Sequence, residues 1–213
     1  MSTVIPEKGA AYYDNVRPDL IDALPRPLGQ VLDVGCGAGS MGPGLRAAGA
    51  SVVVGIEIVP AAAERASTVL DRVIVGSVES SLDELDTVFD TVICLDVLEH
   101  LVDPRDVLAR LRQHVHPGGH LQISVPNARH YSLVRDLVLR GTFGYAESGH
   151  RDSTHLRWFT RRDVVNLIRD SGWEPIGTAW PPLGRSALLH RLSRGHSSEF
   201  LVGQVYASAR NPA

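Results

Sequence analysis

Short runs of consecutive apolar and β-branched residues alternate with helical patterns through the first part of the chain. The runs predict five strands, at residues 31–34, 52–56, 73–75, 88–95 and 120–125. Because neighbouring positions in each run are apolar, both faces of these strands are expected to be covered. Strands that alternate with helices are typical of a mostly parallel sheet with helices on both faces.

Two of the predicted helices have ends that the sequence marks. Asp103 followed by Pro104 is an N-cap and first-turn pair. Thr160 with Asp163 three residues later resembles a capping box, and Gly172 stands where that helix should end. These signals predict one helix before the fifth strand in the sequence and one after it.

Two stretches interrupt the alternation. Residues 126–158 leave the end of the fifth strand and carry several histidines and aromatic residues, and we interpret them as a substrate cap. Residues 181–198 are rich in Pro, Gly, Ser, Arg and His and join two last predicted strands, at 174–180 and 199–207. Since that connection lacks a clear crossover helix, the final pair is expected to be antiparallel. The elements together predict one α/β domain over residues 1–213, with a mostly parallel seven-stranded sheet and a C-terminal antiparallel strand.

The first predicted strand ends in three alternating glycines, Gly35, Gly37 and Gly39. Glycine lets the backbone turn tightly and approach a ligand, and ligands of open parallel sheets bind at the carboxyl ends of strands. Glu57 ends the next predicted strand, where an acid accepts hydrogen bonds from ribose hydroxyls in nucleotide-binding folds. The two features together indicate a nucleotide-like ligand.

Two other interpretations of this loop stay open. Gly37, Gly39 and Gly42 satisfy the G-x-G-x-x-G pattern, so a nicotinamide dinucleotide is one alternative, although the strand already ends at Gly35. A glycine turn that binds no ligand is the other.

The combination resembles the class I S-adenosylmethionine-dependent methyltransferase superfamily, over about residues 10–180. The resemblance implies a Rossmann-like methyltransferase fold and S-adenosylmethionine as cofactor. It implies that Asp33 orients the methionine part, that Glu57 binds the ribose, and that Gly76, Ser77 and Val78 lie in the adenine-contacting loop. The implied cofactor-binding residues are Tyr13, Asp33, Gly35, Cys36, Gly37, Gly39, Glu57, Ile58, Ser77, Val78 and Asp96. For Tyr13, plain packing is the alternative.

Methyl transfer from a sulfonium is an in-line displacement, so the protein mainly aligns an acceptor and removes its proton. Asp96, Glu99 and His100 follow the fourth predicted strand at spacings that bring them to one side of a helical turn. With His155, they resemble the metal site of small-RNA 2′-O-methyltransferases and of ubiquinone-pathway O-methyltransferases. That resemblance implies Asp96, Glu99, His100 and His155 as ligands of magnesium, manganese or zinc. The alternative is the metal-free members, in which a Glu-His pair packs and positions the cofactor loop.

Without a metal, the catalytic candidates are His150, Asp152 and His155, a cluster in which the acid could orient an imidazole that acts as base. Residues 149–160 also resemble a stretch of methyltransferases from bacterial glycan synthesis, which implies a hydroxyl of a mannose- or rhamnose-type saccharide as the acceptor. A quinone-precursor or other phenolic O-methyltransferase shares the same motifs and is the main alternative. An RNA 2′-O-methyltransferase and a non-enzymatic binding module are further alternatives.

The composition bears on which classes of partner and which cellular location are expected. The 21 basic and 24 acidic residues give a formal charge of -3, which provides no positive field for a long nucleic acid. Cys36 and Cys94 lie in glycine-rich or apolar stretches and are expected in the core rather than in a disulfide. No window approaches the roughly 20 apolar residues of a membrane span. These features predict a cytoplasmic protein that does not bind a membrane, and a homodimer is compatible with them.

Overall fold

The sheet is built from the predicted apolar runs. The computed structural model describes residues 13, 14, 16–179 and 198–212. Its strands are β1 (Gly29–Val34), β2 (Ala50–Glu57), β3 (Arg72–Val75), β4 (Phe89–Leu95), β5 (Val115–Pro126), β6 (Glu174–Ala179) and β7 (Gln204–Arg210). Their order across the sheet is β3-β2-β1-β4-β5-β7-β6. Strands β1 to β5 pair in parallel, while β7 runs antiparallel to both β5 and β6. The predicted fold class, including its C-terminal antiparallel strand, is confirmed.

The described helices are α1 (Pro18–Ala23), α2 (Gly42–Ala47), α3 (Pro60–Ala66), α4 (Val78–Ser81), α5 (Pro104–Leu111), α6 (Tyr131–Arg140), α7 (Arg161–Asp170) and α8 (Ser198–Leu201). The predicted caps are confirmed: Asp103 accepts a hydrogen bond from the amide of Asp106, and Thr160 with Asp163 forms a complete capping box. Among the helices of the described ranges, none has the length and apolar character needed to cross a bilayer.

Apolar side chains cover both faces of the sheet, as predicted. One buried cluster contains Val107 and Leu111 of α5 and Ile168 of α7, and the other contains Ile21 of α1 and Leu45 of α2. Cys94 belongs to the first cluster and Cys36 to the second, and both are free thiols. Burial raises the pKa of each thiol, so both stay protonated and act as small apolar side chains.

The predicted last strand, at residues 199–207, is wrong at its start. Residues Ser198–Leu201 form α8, and β7 begins only at Gln204. The side-chain amide of Asn127, which follows β5, donates to the carbonyls of Glu199 and Val202, at 2.9 Å each, and so directs these carbonyls away from a strand ladder. Of the connection predicted at 181–198, residues 181–197 lie outside the described part of the chain. Trp180, the end of the predicted sixth strand, also lies outside it.

Candidate functional site

A cavity of about 910 Å³ opens at the carboxyl ends of the parallel strands, where ligands of open α/β sheets bind. Its size lies within the usual range of small-molecule sites. Residues that follow β1, β2, β3 and β4 form one part of its wall, and residues 149–155 and 203–204 form another.

The glycine loop after β1 forms the floor of this cavity. Gly37 has φ +55°, and a Cβ at this position would lie 2.7 Å from the carbonyl oxygen of Tyr13. The amide of Ala38 donates to that same carbonyl at 3.1 Å. The close approach of residue 13 to the loop therefore requires glycine at position 37.

Glu57, at the end of β2, holds the loop in place. Its Oε2 accepts from the amide of Gly37 at 2.9 Å, and its Oε1 accepts from the amide of Val59 at 2.8 Å. Burial raises the pKa of Glu57, and the backbone hydrogen bonds act in the opposite direction. Each oxygen keeps a lone pair for a further donor.

Asp33 lies beneath the loop and is almost completely buried. Its Oδ2 has no hydrogen-bond partner within the described part of the chain. Burial, and secondarily the charge of Glu57, raises the pKa of Asp33 to about 8. A buried carboxyl group beside a cavity, with one oxygen that lacks a hydrogen-bond partner, is suited to a polar or cationic ligand group.

Ten of the eleven residues predicted to bind the cofactor line this one cavity. Gly39 is the exception, because it packs against Ala66 and Leu70 and so serves the contact with α3 rather than the cavity wall. The predicted catalytic residues His150, Asp152 and His155 line the same cavity.

Three of the four predicted metal ligands come together beyond β4. Glu99, His100 and His155 each offer a ligand atom, and these atoms lie within 4.8 Å of one another. The amides of Leu156 and Arg157 donate to the carbonyl of Glu99 at 2.8 and 3.0 Å, which brings His155 from a distant segment to this position. Neither carboxylate oxygen of Glu99 has a hydrogen-bond partner among the described residues. Burial, and then the charges of Asp96 and Asp152, raises the pKa of Glu99.

Asp96, the fourth predicted ligand, is not brought into this cluster. It has φ +56°, and its Oδ1 accepts from the side-chain amide of Gln204 at 2.8 Å. Its Oδ2 lies 3.5 Å from Nη1 of Arg17. The carboxylate is thus engaged by β7 and by the segment that precedes α1.

Asp152 acts on His100 through Thr154. The Thr154 hydroxyl donates to Oδ1 of Asp152 at 2.7 Å, and Nδ1 of His100 lies 3.2 Å from both the hydroxyl and the carbonyl oxygen of Thr154. Because a carbonyl only accepts, Nδ1 of His100 carries the proton, and its Nε2 has the lone pair in the neutral ring. This is the tautomer that a ligand or a base requires.

His150 is held on the opposite side, by the turn before β7. Its Nε2 donates to the carbonyl of Gly203 at 2.6 Å, and its ring stacks on that of His130, with centroids 4.7 Å apart. Burial lowers the pKa of His150. The ring is therefore neutral near pH 7.

The segment that carries His150 is tied to α6 by a buried carboxylate. Asp136 of α6 binds Arg151 at 2.5 Å, Arg135 at 2.8 Å and Arg140 at 3.3 Å. These guanidinium groups hold the pKa of Asp136 well below its usual range. Asp136 is thus the main polar link between α6 and the cavity wall.

Arg17 and Gln204 are among the polar residues of the cavity that sequence reasoning missed. Arg17 is the one lysine or arginine among the described lining residues. Neither residue belongs to a local motif, and their partners Asp96 and Tyr206 are distant along the chain, so no signal in the sequence pointed to them.

The chain is similar to known proteins in sequence and in fold. The model of a family described as "Methyltransferase domain" matches residues 10–177. The mitochondrial ubiquinone biosynthesis O-methyltransferase of Schizosaccharomyces pombe is 41% identical, over 86% of this chain and 69% of that protein. The ubiquinone biosynthesis O-methyltransferase of Ralstonia nicotianae is 32% identical, over 77% of this chain and 72% of that protein. The crystal structure of an S-adenosylmethionine-dependent methyltransferase from Mesorhizobium loti superposes with a TM-score of 0.63 at 19% identity, over 91% of this chain and 96% of that one.

These relatives correct one expectation. The resemblance to glycan-synthesis enzymes, and with it the saccharide acceptor of mannose or rhamnose type, is wrong, because the relatives with substantial identity are named for ubiquinone biosynthesis. The cytoplasmic location stays a prediction, since one relative is mitochondrial.

Proposed function

The chain belongs to the methyltransferase-domain family of S-adenosylmethionine-dependent enzymes, and on that premise we propose that it methylates a phenolic hydroxyl of a quinone precursor. The observation that carries the acceptor class is the similarity to ubiquinone biosynthesis O-methyltransferases, which extends over most of the chain. The polar groups of the cavity support the same proposal, first at the donor end and then at the acceptor end.

The donor end fits S-adenosylmethionine. Glu57 has free lone pairs for ribose hydroxyls, and Ser77 and Val78 line the neighbouring wall for the adenine. Since β2 and β3 lie on one side of β1 and β4 on the other, the methionine part would extend towards Asp33, Asp96 and Arg17. Arg17 would then bind the carboxylate, and Oδ2 of Asp33, which lacks a hydrogen-bond partner among the described residues, would accept from the amino group of the cofactor.

The same contacts argue against a nicotinamide dinucleotide. A pyrophosphate needs free backbone amides in the glycine loop. Here the amide of Gly37 already donates to Glu57, and the amide of Ala38 donates to Tyr13. Two phosphates would lie beside the carboxylates of Glu57 and Asp33 without amides to compensate their charge.

The acceptor end fits a divalent cation. Glu99, His100 and His155 combine one buried carboxylate and two imidazoles, a donor set that suits magnesium, manganese or zinc. Neither oxygen of Glu99 accepts a hydrogen bond among the described residues, and Oε1 lies 4.0 Å from Nε2 of His155, which supports a cation between them because a buried carboxylate is costly without a partner. A bound cation would lower the pKa of a phenolic hydroxyl.

The transfer itself is a single displacement. The phenolic oxygen attacks the methyl carbon, the carbon–sulfur bond breaks, and S-adenosylhomocysteine leaves with the electron pair on sulfur. With a cation held by His100 and His155, the acidified phenol would lose its proton to solvent; without a cation, Nε2 of His100 or the imidazole of His155 would accept the proton. Residues 126–158, with α6 tied to Arg151 through Asp136, would cap the acceptor.

The test is methyl transfer from S-adenosylmethionine to a panel of catechol, simple phenols, mannose and rhamnose, read by mass spectrometry. We expect methylated catechol or phenol and no methylated sugar. His155→Ala should abolish the product, whereas His116→Ala, an exposed histidine outside the cavity, should retain it. Methylation of the sugars alone would refute the proposed acceptor.

A further inference from the structure

The hydroxyl of Tyr206 on β7 joins two charged side chains near α1. It donates to Oδ2 of Asp19 at 2.6 Å and accepts from Nη2 of Arg17. Tyr206 is almost completely buried, and its ring lies under the guanidinium of Arg17, 5.2 Å from the ring centroid. Because the hydroxyl is both donor and acceptor here, its orientation is fixed by the two partners.

The same face of β7 carries Gln204, two residues earlier, since side chains alternate along a strand. Gln204 donates to Asp96, and its Oε1 accepts from the hydroxyl of Ser124 on β5. Asp96 in turn lies 3.5 Å from Arg17. Two residues of β7 therefore act on Arg17: Tyr206 contacts it directly, and Gln204 holds its partner Asp96.

The place of Tyr206 and Gln204 in the sheet relates them to the methionine end of the proposed donor site. Strand β7 pairs with β5, so β7 and β2, which carries Glu57, lie on opposite sides of β4 in the sheet. Arg17 has five donor groups, so its contacts with Tyr206, Asp19 and Asp96 leave N–H groups for a ligand. A planar guanidinium binds a carboxylate in two parallel hydrogen bonds only when its plane is held in the right orientation.

We infer that Tyr206 and Gln204 are positioning residues that hold Arg17 ready for the carboxylate of the methyl donor. The inference rests on the proposed donor site and assigns to the C-terminal strand a part in donor recognition. Tyr206 serves this role as a neutral hydroxyl, since burial and its bond to Asp19 raise its pKa to about 12. Strand β7 would thus favour the binding of ligands that carry the amino-acid part of the donor.

Two ligands separate positioning from general stability. S-adenosylhomocysteine has the amino-acid carboxylate, and 5′-methylthioadenosine lacks it but keeps the adenosine and the sulfur. We expect Tyr206→Phe to weaken calorimetric binding of S-adenosylhomocysteine by about tenfold and to leave binding of 5′-methylthioadenosine unchanged. Tyr145→Phe, an exposed tyrosine outside the cavity lining, is the matched control and should change neither. Equal loss for both ligands, or no loss, would overturn the inference.

A double-mutant cycle with Arg17→Ala provides a second measurement. If Tyr206 acts through Arg17, adding Tyr206→Phe to Arg17→Ala should not weaken S-adenosylhomocysteine binding further. A further loss in that background would overturn the inference and leave the proposed function intact. A wild-type protein that binds neither ligand would instead overturn both.

Discussion

The carboxylate of Glu57 accepts a hydrogen bond of 2.9 Å from the backbone amide of Gly37, so the acid that ends β2 fixes the loop that follows β1. Its other oxygen accepts from the amide of Val59. One side chain therefore shapes the floor of the cavity and supplies the acceptors for a ribose.

Replacing this acid tests both functions. In Glu57→Gln, one backbone amide would face the side-chain NH₂ group, donor against donor, at a cost of about 1–3 kcal/mol. We expect a lower free energy of unfolding and at least about tenfold weaker binding of S-adenosylhomocysteine. Glu64→Gln, on the exposed side of α3, should change neither quantity. Unchanged affinity in Glu57→Gln would contradict the assignment, and chemical denaturation with calorimetry measures both values.

Gly37 and Gly118 form a matched pair for the glycine loop. Both have positive φ, so alanine costs about 1–2 kcal/mol of backbone strain at either position. A Cβ at Gly37 also meets the carbonyl of Tyr13, whereas a Cβ at Gly118 has nothing within 4 Å. Gly37→Ala should therefore abolish binding of S-adenosylhomocysteine, and Gly118→Ala should only reduce stability. If both variants bind the ligand equally well, the floor of the cavity is not the donor site.

The residues predicted for the donor side come together in one cavity because the patterns that point to them are local. Gly35 and Gly37 are two residues apart in the chain, and Glu57 directly ends an apolar run, so alternation and spacing are enough to point to them. Gly39 fits the same spacing but packs on α3, a distinction that depends on the neighbouring helix rather than on the motif.

The other side of the cavity depends on contacts between distant residues. Gln204 reaches Asp96 across 108 positions, and Arg17 reaches Tyr206 across 189. No local pattern encodes such pairs. The predicted start of β7 is too early for the same reason, because the side chain of Asn127, distant in the chain, binds the carbonyls of Glu199 and Val202.

The Asp136–Arg151 pair makes a pH-dependent prediction. The pKa of Asp136 is lowered in the folded state, so its stabilising effect is complete above the ordinary aspartate value near 3.9 and is lost as the pH falls towards the folded-state value. Asp136→Asn should be less stable than wild type at pH 7, and the difference should shrink below about pH 4. Asp83→Asn, which breaks the exposed pair with Arg110, should have a smaller effect at pH 7. Urea unfolding at a series of pH values checks this, and a difference independent of pH would contradict it.

The final prediction concerns the cation site. If Glu99, His100 and His155 hold a divalent ion, a chelator should abolish methyl transfer, and magnesium, manganese or zinc should restore it. Glu99→Gln keeps the size of the side chain but removes its charge, so it should lower affinity for the ion, measured directly by calorimetry, without weakening S-adenosylhomocysteine binding. His114→Ala, a histidine outside the cavity, is the control and should bind the ion like wild type. Full activity after chelation would instead favour proton removal by an imidazole alone, and His100→Ala would then reduce turnover while leaving affinity for the donor unchanged.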